Sequence, residues 1–270
     1  MLLKNTLFVI TTAIVALTSS LASAGPIPEM RSQAVNDFNC KPTAEHPNPL
    51  IMLHGLTVAP NTWSYMSKRF AANGYCAFTL SYGRIPGIPM LVGFNDMMIS
   101  AQELSDFVDK VLKATGASKV DIIGHSEGSL LPRVYMKYFN GRGKVGSLVG
   151  VGSVQYGTTL ANITTLVDGL GLGLYELGNG VGGIICKACT QLIAGNPFLN
   201  DLNNGGDTYP DIKYIMIVNK YDEIITPYTN GFLRTLGPNV QNVVLQDICK
   251  NDISEHMTMP YDRKLNIVMK

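Results

Sequence analysis

The stretch KVDIIGHSEGSLLPRVYMKYFNG, residues 119–141, decides the fold of this chain. Its first five residues predict a short strand, residues 124–128 predict a tight turn, and residues 129–139 have the spacing of a helix. The helix is expected to end at Asn140-Gly141, a common stop signal. A strand that passes through a glycine-flanked turn straight into a helix is typical of α/β proteins with parallel strands.

The segments on both sides of this stretch repeat the alternation. The run PLIML at residues 49–53 has no polar side chain, as expected of a strand that is buried on both faces. Further predicted strands cover residues 76–82, 145–154, 212–218 and 242–245, and further predicted helices cover residues 63–72 and 96–115. We therefore expect an α/β fold with a mostly parallel sheet and helices on both faces.

Residues 157–206 form an unusually long connection after the fourth predicted strand. They are rich in glycine and aliphatic residues, as in LVDGLGLGL at residues 166–174. Ordinary connections in compact domains are far shorter, which predicts a cap or lid here. A pair of helices that only covers the core is the alternative, and the sequence leaves it open. No repeat or second core-sized region interrupts residues 25–270, so we expect one domain there.

The N-terminus has the pattern of a cleaved signal peptide over residues 1–24. Lys4 precedes a mainly apolar stretch at residues 7–17, and Ala22-Ser23-Ala24 is a small-residue cleavage site. The apolar stretch is shorter than the roughly 20 residues that a membrane span needs. We expect cleavage after Ala24, secretion, and no stable membrane insertion.

The charge balance limits the kinds of partner. Lys and Arg number 21 and Asp and Glu number 20, so the formal net charge is +1. This balance gives no electrostatic basis for binding nucleic acid. Charged residues make up 15% of the chain, against about 25% in an average protein. The low charge favours a secreted protein that contacts apolar partners, including transient contact with lipid interfaces.

All five cysteines follow the signal segment, and a secreted chain retains disulfides. Cys40 precedes the first predicted strand and Cys76 opens the second, so we expect these two to pair. Cys249, just after the last predicted strand, is expected to pair with Cys186 or Cys189, which leaves one odd thiol. The CxxC of Cys186 and Cys189 has no second CxxC and no histidine nearby, so we expect no metal site there.

The pattern GHSEG at residues 124–128 has the form GxSxG, which marks a nucleophile at a sharp strand-to-helix bend. The bend needs glycine on both flanks and exposes the serine hydroxyl above the sheet. Serine is a weak nucleophile at neutral pH, so it needs a base that takes its proton and an acid that orients the base. Ser126 is therefore the candidate nucleophile.

Histidine is the expected base, and the acid precedes it along the chain. In hydrolases with this bend the order is serine, acid, histidine, which leaves His256 as the base. The candidate acid is Asp222, at the end of the fifth predicted strand, where the sites of α/β sheets collect. Glu223 is its nearest rival, and Asp247 and Asp252 lie closer to His256 in the sequence. The residues leave these three alternatives open.

Two backbone N–H groups are expected to bind the oxyanion of a tetrahedral intermediate. One belongs to Glu127, the residue after the candidate nucleophile, and the other to Leu56, in the loop after the first predicted strand. His54, at the start of that loop, is expected to shape it. His125 is expected to pack beside the nucleophile.

Four motifs stand in order along the chain: LHG at residues 53–55, GHSEGSLLPR at residues 124–133, YDEIITPY at residues 221–228 and EH at residues 255–256. With these motifs the chain resembles the secreted class 2 lipases of the α/β-hydrolase superfamily, over roughly residues 36–262. The resemblance implies an α/β-hydrolase fold, hydrolysis of carboxylic esters by Ser126, Asp222 and His256, and no cofactor.

The expected protein is a secreted serine hydrolase that cleaves acylglycerols or other lipid esters through an acyl-enzyme. A short-chain carboxylesterase or an acyltransferase would use the same triad, and a non-catalytic lipid-binding relative would share only the fold. Residues 162–164, Asn-Ile-Thr, are an acceptor sequon, so Asn162 is a glycosylation candidate, with an unmodified loop as the alternative.

Overall fold

Six strands lie side by side in the computed structural model, which describes residues 35–56, 60–88, 91–168 and 186–262. They are β1 (Leu50–Leu53), β2 (Ala77–Leu80), β3 (Val120–His125), β4 (Val145–Val151), β5 (Lys213–Val218) and β6 (Val240–Val244). All neighbouring strands pair in parallel, in the order β2-β1-β3-β4-β5-β6. The predicted parallel α/β sheet is confirmed. The expected signal peptide, residues 1–24, lies outside the described residues.

Helices connect the strands. They are α1 (Ser64–Ala72), α2 (Met97–Thr115), α3 (Glu127–Tyr138), α4 (Leu160–Asp168), α5 (Lys187–Gln191), α6 (Pro197–Asn203) and α7 (Leu245–Ile248). Helix α2 begins where the Asp96 side chain accepts the N–H of Met98, and it ends at Gly116. In the part of the chain that is described, no helix has both the length and the apolarity that a membrane span needs.

Strand β1 is buried on both faces because its side chains alternate between two apolar clusters. Ile51 and Leu53 belong to the cluster that includes the buried residues of α2 and α3. Leu50 and Met52 belong to the second cluster, together with Met66 of α1. Helices therefore cover both faces of the sheet, as the sequence predicted.

The described flanks of the 157–206 insertion belong to the core. Ile163 and Val167 of α4 and Leu199 of α6 are at most 2% exposed and join the cluster beneath α2 and α3. These flanks pack as helices that cover the core, which was the alternative to a lid. The centre of the insertion, residues 169–185, lies outside the described residues, so the lid stays a prediction.

Two disulfides are present within the described residues, and the second corrects the sequence prediction. Cys40 is joined to Cys76 and ties the arm before β1 to the start of β2. Cys186 is joined to Cys189 and not to Cys249, which is a free thiol. The reason is geometric: Cys186 caps α5 by accepting the N–H of Cys189, so one helical turn brings both residues together in the core. Cys249 instead lies at the C-terminal end of α7, which follows the edge strand β6.

Candidate active site

Ser126 is the single residue between strand β3 and helix α3. Its φ of 52° and ψ of −122° are strained for a residue with a side chain, and they turn the chain from strand to helix in one step. The sequence predicted a turn over residues 124–128, whereas α3 already begins at Glu127. Glycine is required at position 124 because a Cβ there would lie 1.9 Å from the carbonyl oxygen of Gly128.

The side chains of Ser126, His256 and Asp222 form one hydrogen-bonded chain. His256 Nε2 lies 2.9 Å from Ser126 Oγ, and His256 Nδ1 lies 2.8 Å from Asp222 Oδ2. Because a carboxylate only accepts, this arrangement fits the tautomer with its proton on Nδ1. The other oxygen of Asp222 accepts the N–H groups of Ile224 and Ile225, which hold the carboxylate in one orientation.

The three alternative acids lie elsewhere. Glu223 accepts the backbone N–H of His256 at 2.9 Å and therefore holds the main chain rather than the ring. Asp247 forms an exposed ion pair, and the side chain of Asp252 accepts a hydrogen bond from a nearby backbone N–H. Of the four candidate acids, Asp222 is the one that meets the imidazole of His256.

His256 has close neighbours at both its ring and its main chain. Gly152, just after β4, lies so close beneath it that a Cβ would be 3.2 Å from the ring. His125 donates its Nε2–H to the carbonyl oxygen of His256 at 3.0 Å. Burial lowers the pKa of His125 well below its ordinary value, so the ring stays neutral beside the site. His125 thus packs beside the nucleophile, as expected, and takes no place in the hydrogen-bonded chain to Ser126.

The loop after β1 passes directly beside Ser126. A Cβ on Gly55 would lie 2.9 Å from the Ser126 Cβ, so only glycine allows this approach. His54 fixes the loop, because its Nδ1–H donates to the Gly55 carbonyl oxygen at 2.8 Å and its Nε2 accepts the N–H of Tyr82 at 3.2 Å. Burial lowers the pKa of His54 to about 4, which keeps the ring neutral.

The two backbone N–H groups expected to bind an oxyanion flank this contact. Leu56 follows Gly55 in the loop, and Glu127 is the first residue of α3, where N–H groups have no partner within the helix. Among the described residues, neither N–H group donates a hydrogen bond. The helix N-terminus at Glu127 favours a ligand with negative charge.

Sequence reasoning missed the side chain of Glu127. The residue is 0% exposed, and neither carboxyl oxygen has a hydrogen-bond partner in the described parts of the chain. Burial raises the pKa of Glu127 well above its ordinary value, which favours the uncharged form of the carboxyl group. The signal in the sequence was an acidic residue within the predicted turn at residues 124–128, followed by two small residues, Gly128 and Ser129.

The glycosylation candidate Asn162 also has a structural contact that the sequence did not indicate. Its Nδ2, the atom that would carry a glycan, donates to the carbonyl oxygen of Ile224 at 2.9 Å and to the hydroxyl of Thr226. The side chain is half-buried and ties α4 to the loop that follows Asp222. These bonds favour the unmodified alternative.

In the parts of the chain that the structure describes, no three His, Cys, Asp or Glu side chains are grouped so that they could hold a metal ion.

Comparison with solved structures supports the fold. The chain is similar to lipase B of Aspergillus fumigatus, with a TM-score of 0.58 and 19% identity over 79% of this chain and 49% of that one. It is similar to the mature Bacillus licheniformis lipase BlEst2, with a TM-score of 0.58 and 17% identity over 85% of this chain and 91% of that one. An α/β hydrolase from the sediment metagenome of the Mar Chica lagoon, Morocco, gives a TM-score of 0.55 and 18% identity over 85% and 90% of the two chains. Our chain spans about half the length of the Aspergillus chain.

At these identities the structural likeness supports the α/β-hydrolase fold alone, and the family follows from the sequence. The model of the family described as lipase (class 2) matches residues 47–264. That range contains Ser126, Asp222 and His256 and most of the described chain. The resemblance in the sequence motifs is thus confirmed, and the protein belongs to the class 2 lipase family.

Proposed function

We propose that this protein hydrolyses carboxylic esters, with Ser126 as nucleophile, His256 as base and Asp222 as the acid that orients the base. The observation that carries the proposal is the continuous chain of hydrogen bonds of 2.8 and 2.9 Å between these three side chains. This is the arrangement that activates a serine for acyl transfer.

The first half of the reaction forms an acyl-enzyme. His256 Nε2 takes the proton of Ser126 Oγ as that oxygen attacks the ester carbonyl carbon, and the carbonyl oxygen becomes an oxyanion. The N–H groups of Leu56 and Glu127 bind the oxyanion, and the Asp222 carboxylate stabilises the imidazolium. The intermediate collapses as the ester C–O bond breaks, and His256 gives its proton to the departing alkoxide, which leaves as the alcohol.

The second half regenerates the serine. His256 takes a proton from water, and the resulting oxygen attacks the acyl carbon of the acyl-enzyme. The bond to Ser126 Oγ breaks, Oγ regains its proton from His256, and the carboxylic acid leaves. The scheme uses only five protein groups, the three side chains and the two backbone N–H groups, so no cofactor enters it.

The proposed substrates are esters of medium to long acyl chains, and the protein is proposed to be secreted. Membership of the class 2 lipase family and the low content of charged residues, 15%, support this. The 157–206 insertion, with its apolar and glycine-rich centre, is proposed to line the acyl side of the cleft. Its apolar sequence suits contact with an acyl chain or a lipid interface.

The test is hydrolysis of p-nitrophenyl esters with acyl chains of about two to sixteen carbons, with S126A as the reference variant. We expect S126A to lose activity by a factor on the order of a million, as for the serine of other triads, while the thermal midpoint stays the same. Activity of S126A within about tenfold of the wild type would contradict the assignment. A rate that peaks at acyl chains of about two to four carbons would favour a short-chain carboxylesterase over a lipase.

A second experiment tests the proposed role of the insertion. Leu170 and Leu174 lie outside the described residues, and both stand in its apolar centre. Replacing both by serine is expected to lower activity on emulsified long-chain esters much more than on soluble short-chain esters. An equal loss on both kinds of ester would mean that the segment only covers the core.

A further inference from the structure

A carboxyl group is buried directly beside the proposed oxyanion site. Glu127 is 0% exposed, and its Oε1 and Oε2 have no hydrogen-bond partner among the described residues. An unpartnered polar group in this position lowers the stability of the fold, and an apolar side chain of similar size would avoid the loss. Such departures from the rules of core packing are typical of functional sites.

Gly93 lies next to both the Glu127 carboxyl group and the loop that carries Leu56. A Cβ built on Gly93 would lie 2.7 Å from Glu127 Oε2, 3.1 Å from Leu56 Cα and 3.4 Å from the carbonyl oxygen of Gly55. Gly93 is fixed in turn, because its N–H donates to the carbonyl oxygen of Tyr82 at 3.0 Å. The space that a side chain on Gly93 would need is therefore bounded by the Glu127 carboxyl group and by the backbone of the oxyanion loop.

We propose that the side chain of Glu127 is a positioning residue for the oxyanion site, which it supports through Gly93 and the backbone of Leu56. The inference rests on the proposed function, because it assumes that Leu56 N–H and Glu127 N–H bind an oxyanion. The main chain of Glu127 then supplies one donor, and its side chain sets the distance to the other. A displacement of about 1 Å in such a donor is enough to lower a rate by roughly a hundredfold.

This role requires an uncharged carboxyl group. An ionised Glu127 would place negative charge beside the developing oxyanion and oppose it. Burial alone raises the pKa of Glu127 well above its ordinary value, with no neighbouring charge contributing. Burial also keeps His54, His125 and Tyr82 neutral on the ends of the adjoining strands. Glu103 of α2 is acidic as well. Arg84 acts on the pKa values of His54 and Glu103 but does not contribute to that of Glu127.

The first test is the pH dependence of kcat/KM on a soluble short-chain ester. We expect the wild type to lose activity on the alkaline side as Glu127 ionises, and E127Q, which cannot ionise, to lose this alkaline limb. At neutral pH, E127A is expected to lower kcat by about 10- to 100-fold with little change in KM. The kcat of E127Q is expected to be at least about tenfold higher than that of E127A. A residue that only fills the core would give the same pH profile in all three proteins.

Thermal stability gives a readout that does not depend on activity. The pKa of Glu127 is higher in the folded than in the unfolded protein, so the folded state binds the extra proton and loses stability as pH rises above the ordinary value of 4.5. The Tm of the wild type, relative to that of E127Q, is expected to fall by roughly 3–5 °C per pH unit in this range. A constant difference would show that the carboxyl group is not held neutral and would overturn the proposal.

A pair of glycine variants tests the contact itself. Gly93 and Gly87 both have positive φ, 78° and 84°, so a Cβ strains the backbone at either position. A Cβ on Gly87 meets nothing within 4 Å, which makes G87A the matched control for G93A. We expect G93A to lower kcat as E127A does and G87A to leave kcat unchanged.

The outcomes separate the two proposals. Esterase activity that depends on Ser126, together with equal kcat in G93A and G87A and an alkaline limb that E127Q retains, would overturn the role of Glu127 alone. A wild type without Ser126-dependent activity would overturn both this inference and the proposed function.

Discussion

Glu223 accepts the backbone N–H of His256 at 2.9 Å. The preceding residue, Asp222, faces the ring of the same histidine at 2.8 Å. Two consecutive acids therefore hold His256, one through its main chain and one through its side chain. The Asp222 contact orients the imidazole, and the Glu223 contact places the backbone of His256. Each contact can be removed by its own substitution.

Exchange of each acid for its amide is expected to separate these roles. D222N should lower kcat by about ten-thousand-fold, because the amide does not stabilise the imidazolium and favours the wrong tautomer of His256. E223Q keeps an acceptor oxygen for the backbone N–H and should lower kcat by no more than about tenfold. The measurement is kcat on a soluble ester, with Tm as the control for folding. A greater loss in E223Q than in D222N would move the acid to Glu223.

The buried histidine of the oxyanion loop predicts a loss of stability in acid. The pKa of His54 is lowered by burial to about 4 in the folded protein, against 6.5 ordinarily. The unfolded state therefore binds the proton first, so the contribution of His54 to stability is fully present above pH 6.5 and falls as pH decreases toward 4, by about 3 kcal/mol. Urea unfolding at several pH values should show a shallower acid-side fall in H54N than in the wild type, because the other shifted groups, His125 and Glu127, are the same in both proteins. Equal slopes in the two proteins would contradict the buried neutral state of His54.

The sheet could be predicted from the sequence because its strands are short apolar runs between clear stop signals. LIML in β1 has side chains in both clusters, so continuous hydrophobicity was the correct signal for a strand with two buried faces. Helix α2 was equally clear, with Asp96 as its N-cap and Gly116 at its end. Strand β6 begins two residues before its predicted start, and Leu245 opens α7 instead of ending the strand. Such boundaries depend on hydrogen bonds that local patterns do not specify.

The features that escaped prediction depend on contacts between distant segments. Asp222 was predicted as the acid that faces His256, but the contact of Glu223 with the backbone N–H of the same histidine was not predicted, because it depends on the direction of a side chain in the folded loop. The burial of Glu127 depends on Gly93, more than thirty residues away in the chain. Helix α6 did carry a local signal, because Asn196 caps it before Pro197, but the glycine-rich surroundings hid it.

The corrected disulfide pairing predicts two different contributions to stability. Cys40 and Cys76 close a loop with a sequence separation of 36, whereas Cys186 and Cys189 are separated by 3. In the chain-entropy model the first bridge contributes about 4 kcal/mol and the second about 2 kcal/mol. Urea unfolding of C40S/C76S and C186S/C189S is expected to show this order.

Thiol titration of the unfolded wild type, without reductant, checks the pairing directly. One reactive thiol is expected, and peptide mapping should assign it to Cys249. A bridge from Cys249 to Cys186 or Cys189 would restore the pairing that the sequence suggested. A smaller loss of stability in C40S/C76S than in C186S/C189S would contradict the expected effect of loop length.

The sequon at Asn162 allows the hydrogen-bonding role of its side chain to be separated from glycosylation. N162A removes both the sequon and the two donated hydrogen bonds to the loop that follows Asp222, whereas T164A removes the sequon and keeps the Asn162 amide that donates those bonds. We expect T164A to keep the wild-type kcat. N162A is expected to lower kcat by about tenfold, because the loop that follows Asp222 loses its hydrogen bonds to α4. The intact mass of wild-type protein from a eukaryotic secretory host should not change on glycosidase treatment. A glycan at Asn162, or equal kcat in the two variants, would show that the amide does not hold the acid in place.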